Sequence, residues 1–227
     1  ANAEGVGSAA TYPFGRGGFE VSKLEEATAK RYLPAAELSK LKSATANNPQ
    51  CEYARKLFLF SYYCYGISFI DMAMLTAAHI KQMEDGNYIV YKRQKIKRQK
   101  GVKPISIKIT PAIRQLIGSL QAASPTVDDF LLPIVTRSGY TSERLYMHIR
   151  TRYSKYQKYL RLLAEELGID FHLTSYVSRH TAAMTLQRNH IPREVISQML
   201  GHADLETTNV YLDSFDNGVI NEAAKVL

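Results

Sequence analysis

Two segments near the end of the chain, Thr174-Ser-Tyr-Val-Ser-Arg-His-Thr-Ala-Ala-Met184 and Gln198-Met-Leu-Gly-His-Ala-Asp-Leu-Glu-Thr-Thr-Asn-Val-Tyr211, decide its fold and chemistry. Their pattern predicts short helical segments joined by tight turns, one of them at Gly201. Arg179 and His202 carry hydrogen-bond donors for an anionic oxygen, and the planar guanidinium suits two phosphoryl oxygens at once. Tyr211 supplies a hydroxyl nucleophile. The two segments therefore predict an anion-binding site beside a nucleophilic tyrosine.

Taken together, these segments resemble the C-terminal signature of the tyrosine recombinases, the phage integrase family. The resemblance is carried by Arg179-His-Thr181, Leu200-Gly-His202, the pair Thr207-Thr208, and Tyr211, which lies nine residues after His202. It extends more weakly from about residue 12 to the C-terminus. It implies an α+β fold that is mostly α: an integrase-type catalytic domain with a small antiparallel β-sheet.

The resemblance also implies a reaction, site-specific DNA recombination through a 3′-phosphotyrosyl intermediate. In that reaction Tyr211 attacks a DNA phosphodiester while Arg179 and His202 stabilise the phosphoryl oxygens. Tyr176 stands where the family usually has a histidine. A phenol with a pKa of about 10 can donate a hydrogen bond but cannot act as a base near pH 7, so Tyr176 is expected only to position the phosphate.

No metal and no cofactor are expected in this site. A phosphotyrosyl bond conserves the energy of the cut phosphodiester, so the step can be reversed without ATP. The sequence shows no pair of acidic residues spaced like a two-metal nuclease. Its histidines also lack a recognisable metal-ligand spacing.

One departure from the family concerns its first arginine. Gly66 and Asp71 fall where the resemblance expects them, but Ser68 occupies the arginine position. In a branch from conjugative transposons, to which the chain is most similar, the arginine would come three residues earlier, where Tyr65 stands. Ser68 is expected to cap a short helix, and Arg55 is one basic residue that could reach the phosphate instead.

A dense basic run separates two predicted strands, Tyr88–Tyr91 and Ile105–Ile109, which are expected to form a hairpin. It holds seven basic residues and no acid: Lys92, Arg93, Lys95, Lys97, Arg98, Lys100 and Lys103. Such density favours binding to a phosphate backbone, although a solvated hairpin is the alternative. The resemblance implies that one lysine of this hairpin protonates the leaving 5′ oxygen. Lys95 is the first choice and Lys100 the second.

Helical spacing accounts for much of the remaining chain. Apolar residues recur every three or four positions from Gln50 to Tyr65 and from Ser142 to Leu167, which predicts two core helices. Pro34 and Thr110-Pro111 are typical helix starts. The tyrosines of the longer helix, including Tyr153 and Tyr156, are expected to pack in the core.

Composition predicts the setting of the molecule. The 227 residues include 29 Lys and Arg against 21 Asp and Glu, a formal net charge of +8 that favours a polyanionic partner. Two cysteines are too few for a disulfide framework, and no apolar run is long enough to cross a bilayer. We therefore expect an intracellular protein, and the resemblance to the recombinases implies that it is found in the bacterial cytoplasm, bound to DNA.

The domain organisation is an expectation from the resemblance. Residues 1–20 are interpreted as a linker remnant of an N-terminal core-binding domain, residues 21–211 as the catalytic domain, and residues 212–227 as a tail helix that contacts a neighbouring protomer. The expected partners are double-stranded DNA, further copies of the chain in a tetramer on DNA, and an accessory DNA-bending or directionality factor.

Two other functions fit the same residues. A catalytically impaired DNA-binding protein would explain Ser68 and Tyr176. A type IB topoisomerase-like enzyme would share the chemistry but relax DNA without a paired site.

Overall fold

The computed structural model describes residues 32–98, 102–202 and 208. Their helices are α1 (Ala35–Ser43), α2 (Pro49–Tyr63), α3 (Phe69–Ala73), α4 (Pro111–Ala123), α5 (Ser142–Glu166), α6 (Ser175–Arg188) and α7 (Arg193–Leu200). The strands are β1 (Ile80–Met83), β2 (Gly86–Tyr91) and β3 (Ile105–Lys108). Among these residues, none of the helices combines the length and apolar character needed to cross a membrane. The expected mostly helical α+β fold is confirmed.

Helix α2 is the centre of the core. Asn48 caps its first turn by accepting hydrogen bonds from the backbone N–H groups of Gln50 and Cys51, and Pro49 starts the helix. Its side chains are buried on several faces because α4, α5 and α6 all pack against it. Leu57, Phe58 and Phe60 are inaccessible to solvent. The elements that carry the site are thus held on one apolar helix.

The small sheet confirms the predicted hairpin and adds a strand to it. Strand β2 pairs antiparallel with β3, with Tyr91 opposite Ile105. Strand β1, which the sequence analysis did not predict, pairs antiparallel with the other edge of β2. Almost all of its side chains are exposed, so it lacks the alternation of apolar and polar residues by which a strand is recognised. Strand β3 also contacts α7, which brings the hairpin beside the turn after α7.

The predicted helix starts are largely confirmed. Ser68 accepts a hydrogen bond from the backbone of Asp71 at the start of α3, and Thr110 does the same for Ile113 at the start of α4. On α5, Tyr156 is buried as expected. Tyr153 is 37% exposed, and its ring packs against Phe69 with centroids 5.3 Å apart. Both tyrosines are therefore packing residues, Tyr156 inside the core and Tyr153 at its edge.

The predicted domain boundaries are not tested by this fold. Residues 1–20 and the tail 212–227 lie outside the described residues. The described residues all belong to one compact unit, as expected for the interior of the catalytic domain.

Replacing Asn48 with alanine tests the cap of the central helix. The variant loses the acceptor for two backbone N–H groups, so its free energy of unfolding should fall by about 1 kcal/mol. Urea denaturation measures this change. Asn47→Ala, at the exposed neighbouring position, is the matched control and should change stability by less than about 0.5 kcal/mol. Equal losses in the two variants would contradict the cap.

Candidate active site

Arg179 lies in the second turn of α6 and is almost fully buried, with 4% of its surface exposed. Its Nη1 donates to the carbonyl oxygen of Gly66 at 3.0 Å, and its Nη2 donates to that of Leu200 at 2.5 Å. The guanidinium therefore joins the turn after α2 to the end of α7. Because a guanidinium is rigid and planar, these bonds fix its orientation.

His202 completes this arrangement. Nη2 of Arg179 lies 2.8 Å from Nε2 of His202. Arginine can only donate, so Nε2 must accept, and the proton of the neutral ring lies on Nδ1. Nδ1 then donates to Oγ1 of the buried Thr208 at 2.7 Å. The structure thus brings Arg179 and His202 together as expected.

Thr208 was part of the resemblance but had no assigned role. It fixes the tautomer of His202 through the bond to Nδ1. Tyr211, the expected nucleophile, lies outside the described residues. Its role stays a prediction.

Two glycines allow the site to close around Arg179. Gly66 has a φ of 71°, and a Cβ there would lie 2.5 Å from the Cα, Cβ and Cγ atoms of Arg179. Gly201 has a φ of 64° and ends α7. A Cβ at that position would collide with the side chain of Ile105 on β3. Both positions therefore require glycine for its left-handed backbone and for its lack of a side chain.

A buried serine pair holds α6 in register with α2. Oγ of Ser61 lies 2.8 Å from Oγ of Ser178, the residue before Arg179. Ser61 also donates to the carbonyl oxygen of Ile67, next to Gly66. These bonds fix the turn after α2 and the helix that carries Arg179 relative to each other.

Ser68, which stands where the first arginine was expected, has a structural task. Its Oγ donates to Oδ2 of Asp71 at 2.6 Å and accepts from the Asp71 backbone. Asp71 is buried, and its Oδ1 accepts from the backbone N–H of Gln94 at 2.7 Å. The start of α3 is thereby tied to the loop between β2 and β3. The Ser-x-x-Asp spacing is the sequence signal that could have revealed this bond.

Arg55 does not reach the site. Its guanidinium is paired with the carboxylate of Glu52 through two bonds of 2.7 Å and donates to the carbonyl oxygen of Leu41. The suggestion that Arg55 supplies the missing arginine is therefore wrong. Glu52 and Arg55 lie three positions apart on α2, a common helix pairing, and the bond to Leu41 connects α2 to the last turn of α1.

The basic run lies in the loop between β2 and β3, which Asp71 anchors through Gln94. Lys95 follows Gln94 directly and is exposed. Lys92, Lys97, Arg98 and Lys103 are also exposed, as expected for residues that bind a DNA backbone. Arg93 differs because it is half-buried. Lys100, the alternative to Lys95, lies outside the described residues.

A cavity of about 400 Å³ opens beside Arg179. It lies between the starts of α3 and α6 and the N-terminal half of α5. Its lining residues are Gly66, Ser68, Phe69, Ile70, Arg93, Tyr146, Ile149, Arg150, Tyr153, Ser175, Tyr176 and Arg179. Tyr176 is 54% exposed on this cavity, so its phenol is accessible to a ligand. Within the described part of the chain, the lining includes three arginines and no acid.

His180 cannot replace the expected histidine as a cation near neutral pH. Burial and the neighbouring Arg179 lower its pKa to about 4. Its ring packs edge-on against Tyr176 with centroids 4.9 Å apart. His180 is therefore a neutral side chain that supports Tyr176.

No cluster of three or more metal-ligating side chains occurs in residues 32–98 and 102–202. The site described above is instead cationic and rich in N–H donors. Such a set binds the oxygens of a phosphate group.

Comparisons with known proteins agree with this geometry. The sequence model of the phage integrase family matches residues 31–217. The tyrosine recombinase XerD of Halalkalibacterium halodurans is 41% identical over 54 residues, which are 24% of this chain and 18% of that protein. The matched part is therefore a small fraction of the relative.

Solved structures with the same fold include two that cover most of the chain. The crystal structure of XerA recombinase covers 86% of this chain and 64% of its own, with a TM-score of 0.56 and 21% identity. The Tn1549 transposon integrase in complex with transposon right end DNA covers 91% of this chain and 70% of its own, with a TM-score of 0.60 and 13% identity. The chain thus spans less than two thirds of XerA, and at these identities the likeness is one of fold.

Replacing Gly66 with alanine tests the close approach of Arg179. Gly139 has a similar φ of 72° but open space around it, so Gly139→Ala is the matched control. The control should lower the free energy of unfolding by about 1 to 2 kcal/mol, the penalty of a left-handed alanine. Gly66→Ala should lose about 1 to 3 kcal/mol more, because the added methyl group meets Arg179. Urea denaturation measures both changes, and equal losses of stability in Gly66→Ala and Gly139→Ala would contradict the close packing of Gly66 against Arg179.

His180 predicts a specific pH dependence of stability. Its pKa is about 4 in the folded chain and about 6.5 when unfolded, so the unfolded chain binds an additional proton between these values. The free energy of unfolding should therefore fall as the pH is lowered from about 6.5 towards 4. His180→Gln should lose this part of the dependence. Urea denaturation at several pH values measures the free energy of unfolding of both proteins. The same pH dependence in wild type and His180→Gln would contradict the prediction.

Proposed function

The chain belongs to the phage integrase family, and from this premise we propose that it cuts and rejoins double-stranded DNA at specific sites through a 3′-phosphotyrosyl intermediate. The observation that carries the proposal is the partly buried contact between Arg179 and His202. These two residues lie 23 positions apart in sequence and were selected as phosphate ligands from their motifs alone. Their convergence beside a cationic cavity is what a phosphoryl-transfer site requires.

In the proposed reaction, Oη of Tyr211 forms a bond to the scissile phosphorus while the bond from phosphorus to O5′ breaks. As the phosphate draws the Arg179 N–H away from Nε2 of His202, the phenolic proton passes to that nitrogen. The imidazolium so formed donates to a non-bridging oxygen, beside Arg179. Lys95 gives a proton to the departing O5′ and regains one from solvent as His202 returns to neutral.

Charge neutralisation is the main contribution of the protein to this step. The non-bridging oxygens gain negative charge as the phosphorus becomes five-coordinate, and preorganised donors stabilise that charge without reorganising. The bonds from Arg179 to two backbone carbonyls provide the preorganisation. The reverse step, attack by a 5′ hydroxyl on the phosphotyrosine, reseals the strand.

The proposed partner is DNA. Exposed basic residues of the hairpin loop would follow its phosphate backbone: Lys92, Lys97, Arg98 and Lys103. Assembly as a tetramer on DNA, an accessory bending or directionality factor, and a place in the bacterial cytoplasm remain predictions from the resemblance.

A nicked suicide substrate tests the proposed function. Full-length protein is incubated with a duplex from the end of the element that encodes it, nicked so that cleavage releases a short strand and cannot reverse. We expect a covalent protein–DNA species on a denaturing gel that is absent in Tyr211→Phe. Intact DNA binding in a shift assay without any adduct would contradict the proposal and support the DNA-binding protein without catalysis.

A sulfur-containing substrate tests the role of Lys95. Lys95→Ala should form the adduct about 100 to 10,000 times more slowly, because an alkoxide leaving group needs a proton. A substrate with sulfur at the bridging 5′ position should restore the rate, because a thiolate leaves without one. Lys97→Ala is the matched exposed control and should need no rescue, and Lys100→Ala tests the alternative. Slow reaction of Lys95→Ala on both substrates would contradict the assignment.

A further inference from the structure

Arg93 is set apart from the rest of the basic run by its position. It is half-buried and lines the cavity beside Arg179, whereas the neighbouring basic residues Lys92 and Lys95 are exposed. From the sequence it was assigned only to the DNA backbone, together with the rest of the run. Its location instead calls for a separate explanation.

Arg93 and Arg179 converge on one turn of backbone. Nη1 of Arg93 donates to the carbonyl oxygen of Gly201 at 3.2 Å. Nη2 of Arg179 donates to the carbonyl oxygen of Leu200, the preceding residue, at 2.5 Å. These carbonyls belong to adjacent peptide units, whose Cα atoms are about 3.8 Å apart. The turn that carries His202 thus accepts hydrogen bonds from both guanidinium groups.

The loop that carries Arg93 is held in place from the other side by Asp71. The buried carboxylate of Asp71 accepts from the backbone of Gln94, the next residue, and from the hydroxyl of Ser68. The same acid therefore anchors both the start of α3 and the segment that bears Arg93. Ser68, at the position where an arginine was expected, and Arg93 line the same cavity.

The described lining of the cavity is cationic. It contains Arg93, Arg150 and Arg179 but no acidic residue. Guanidinium groups in such a lining donate to the oxygens of a phosphate group. A phosphodiester that enters the cavity beside Arg179 would therefore also meet Arg93.

We infer that Arg93 is a catalytic residue that donates to a non-bridging oxygen of the scissile phosphate and takes the place of the arginine missing at position 68. The inference rests on the proposed function. Arg179 and Arg93 then address the phosphoryl group from α6 and from the hairpin loop, with His202 beside them. The bond to the Gly201 carbonyl keeps the Arg93 guanidinium in position before DNA binds.

The experiment compares Arg93→Ala with wild type at saturating protein on two nicked substrates. One carries an ordinary scissile phosphate, and the other carries a methylphosphonate, in which a neutral methyl group replaces one non-bridging oxygen. On the ordinary substrate, Arg93→Ala should form the adduct about 100-fold or more slowly, the usual loss for one transition-state donor. On one methylphosphonate stereoisomer its deficit relative to wild type should shrink at least about tenfold, because less charge needs neutralising.

Two further variants separate catalysis from folding and from DNA affinity. Arg93→Lys keeps the charge but not the planar fork, so its rate should fall between those of Arg93→Ala and wild type. Arg114→Ala, an exposed arginine on α4 outside both the basic run and the cavity, is the matched control. It should form the adduct at the wild-type rate on both substrates, and saturating protein removes differences in DNA affinity.

The possible results distinguish the inference about Arg93 from the proposed function. An equal deficit of Arg93→Ala on both substrates would mean a structural role and would overturn the inference. An undiminished rate of Arg93→Ala would do the same while leaving the proposed function intact. Absence of an adduct with wild-type protein on either substrate would overturn the proposed function and the inference together.

Discussion

The buried guanidinium of Arg179 is the interaction on which the site depends. It donates to the carbonyl oxygens of Gly66 and Leu200 and contacts the imidazole of His202, so it connects three parts of the chain that are far apart in sequence. A buried charge is unfavourable unless polar groups surround it, and here backbone oxygens provide that environment. The charge is therefore held at the edge of the cavity, where it can act on a phosphate in the proposed reaction.

The rest of the site follows from fitting the backbone around that side chain. Gly66 and Gly201 allow two turns to approach it, and Asp71 connects the start of α3 to the loop of the basic hairpin. The loop contributes Arg93 from a different element than α6. In this protein the two arginines and the histidine meet at one turn although no two of them share a helix or strand. Such a site depends on packing in the core, because α2 supports α4, α5 and α6 together.

Much of this could be predicted from the sequence. Helix periodicity, caps and the paired hairpin strands are local signals, and they gave the mostly helical fold with its small sheet. The motifs around Arg179 and His202 selected two residues that the structure places in contact. Strand β1 was missed because it is nearly all exposed and lacks alternation. Helical spacing placed Tyr153 among the packing residues of α5 but did not show that it lies at the edge of the core.

The remaining features depend on contacts between distant residues. Nothing local distinguishes Arg93 from the other basic residues of its run, and only the fold shows that it faces the cavity. Likewise, the acceptor role of Nε2 in His202 follows from the contact with Arg179, which the sequence does not specify. Arg55 seemed available until the structure showed its pairing with Glu52. Side chains of the same type therefore take different roles because their tertiary contacts differ.

A crystal structure of the full-length protein trapped on a nicked DNA substrate would test the central claim most directly. The account predicts continuous density between Oη of Tyr211 and the 3′ phosphate, with guanidinium nitrogens of Arg179 about 3 Å from a non-bridging oxygen. A phosphate bound elsewhere, with Arg179 contacting only the carbonyl oxygens of Gly66 and Leu200, would contradict it.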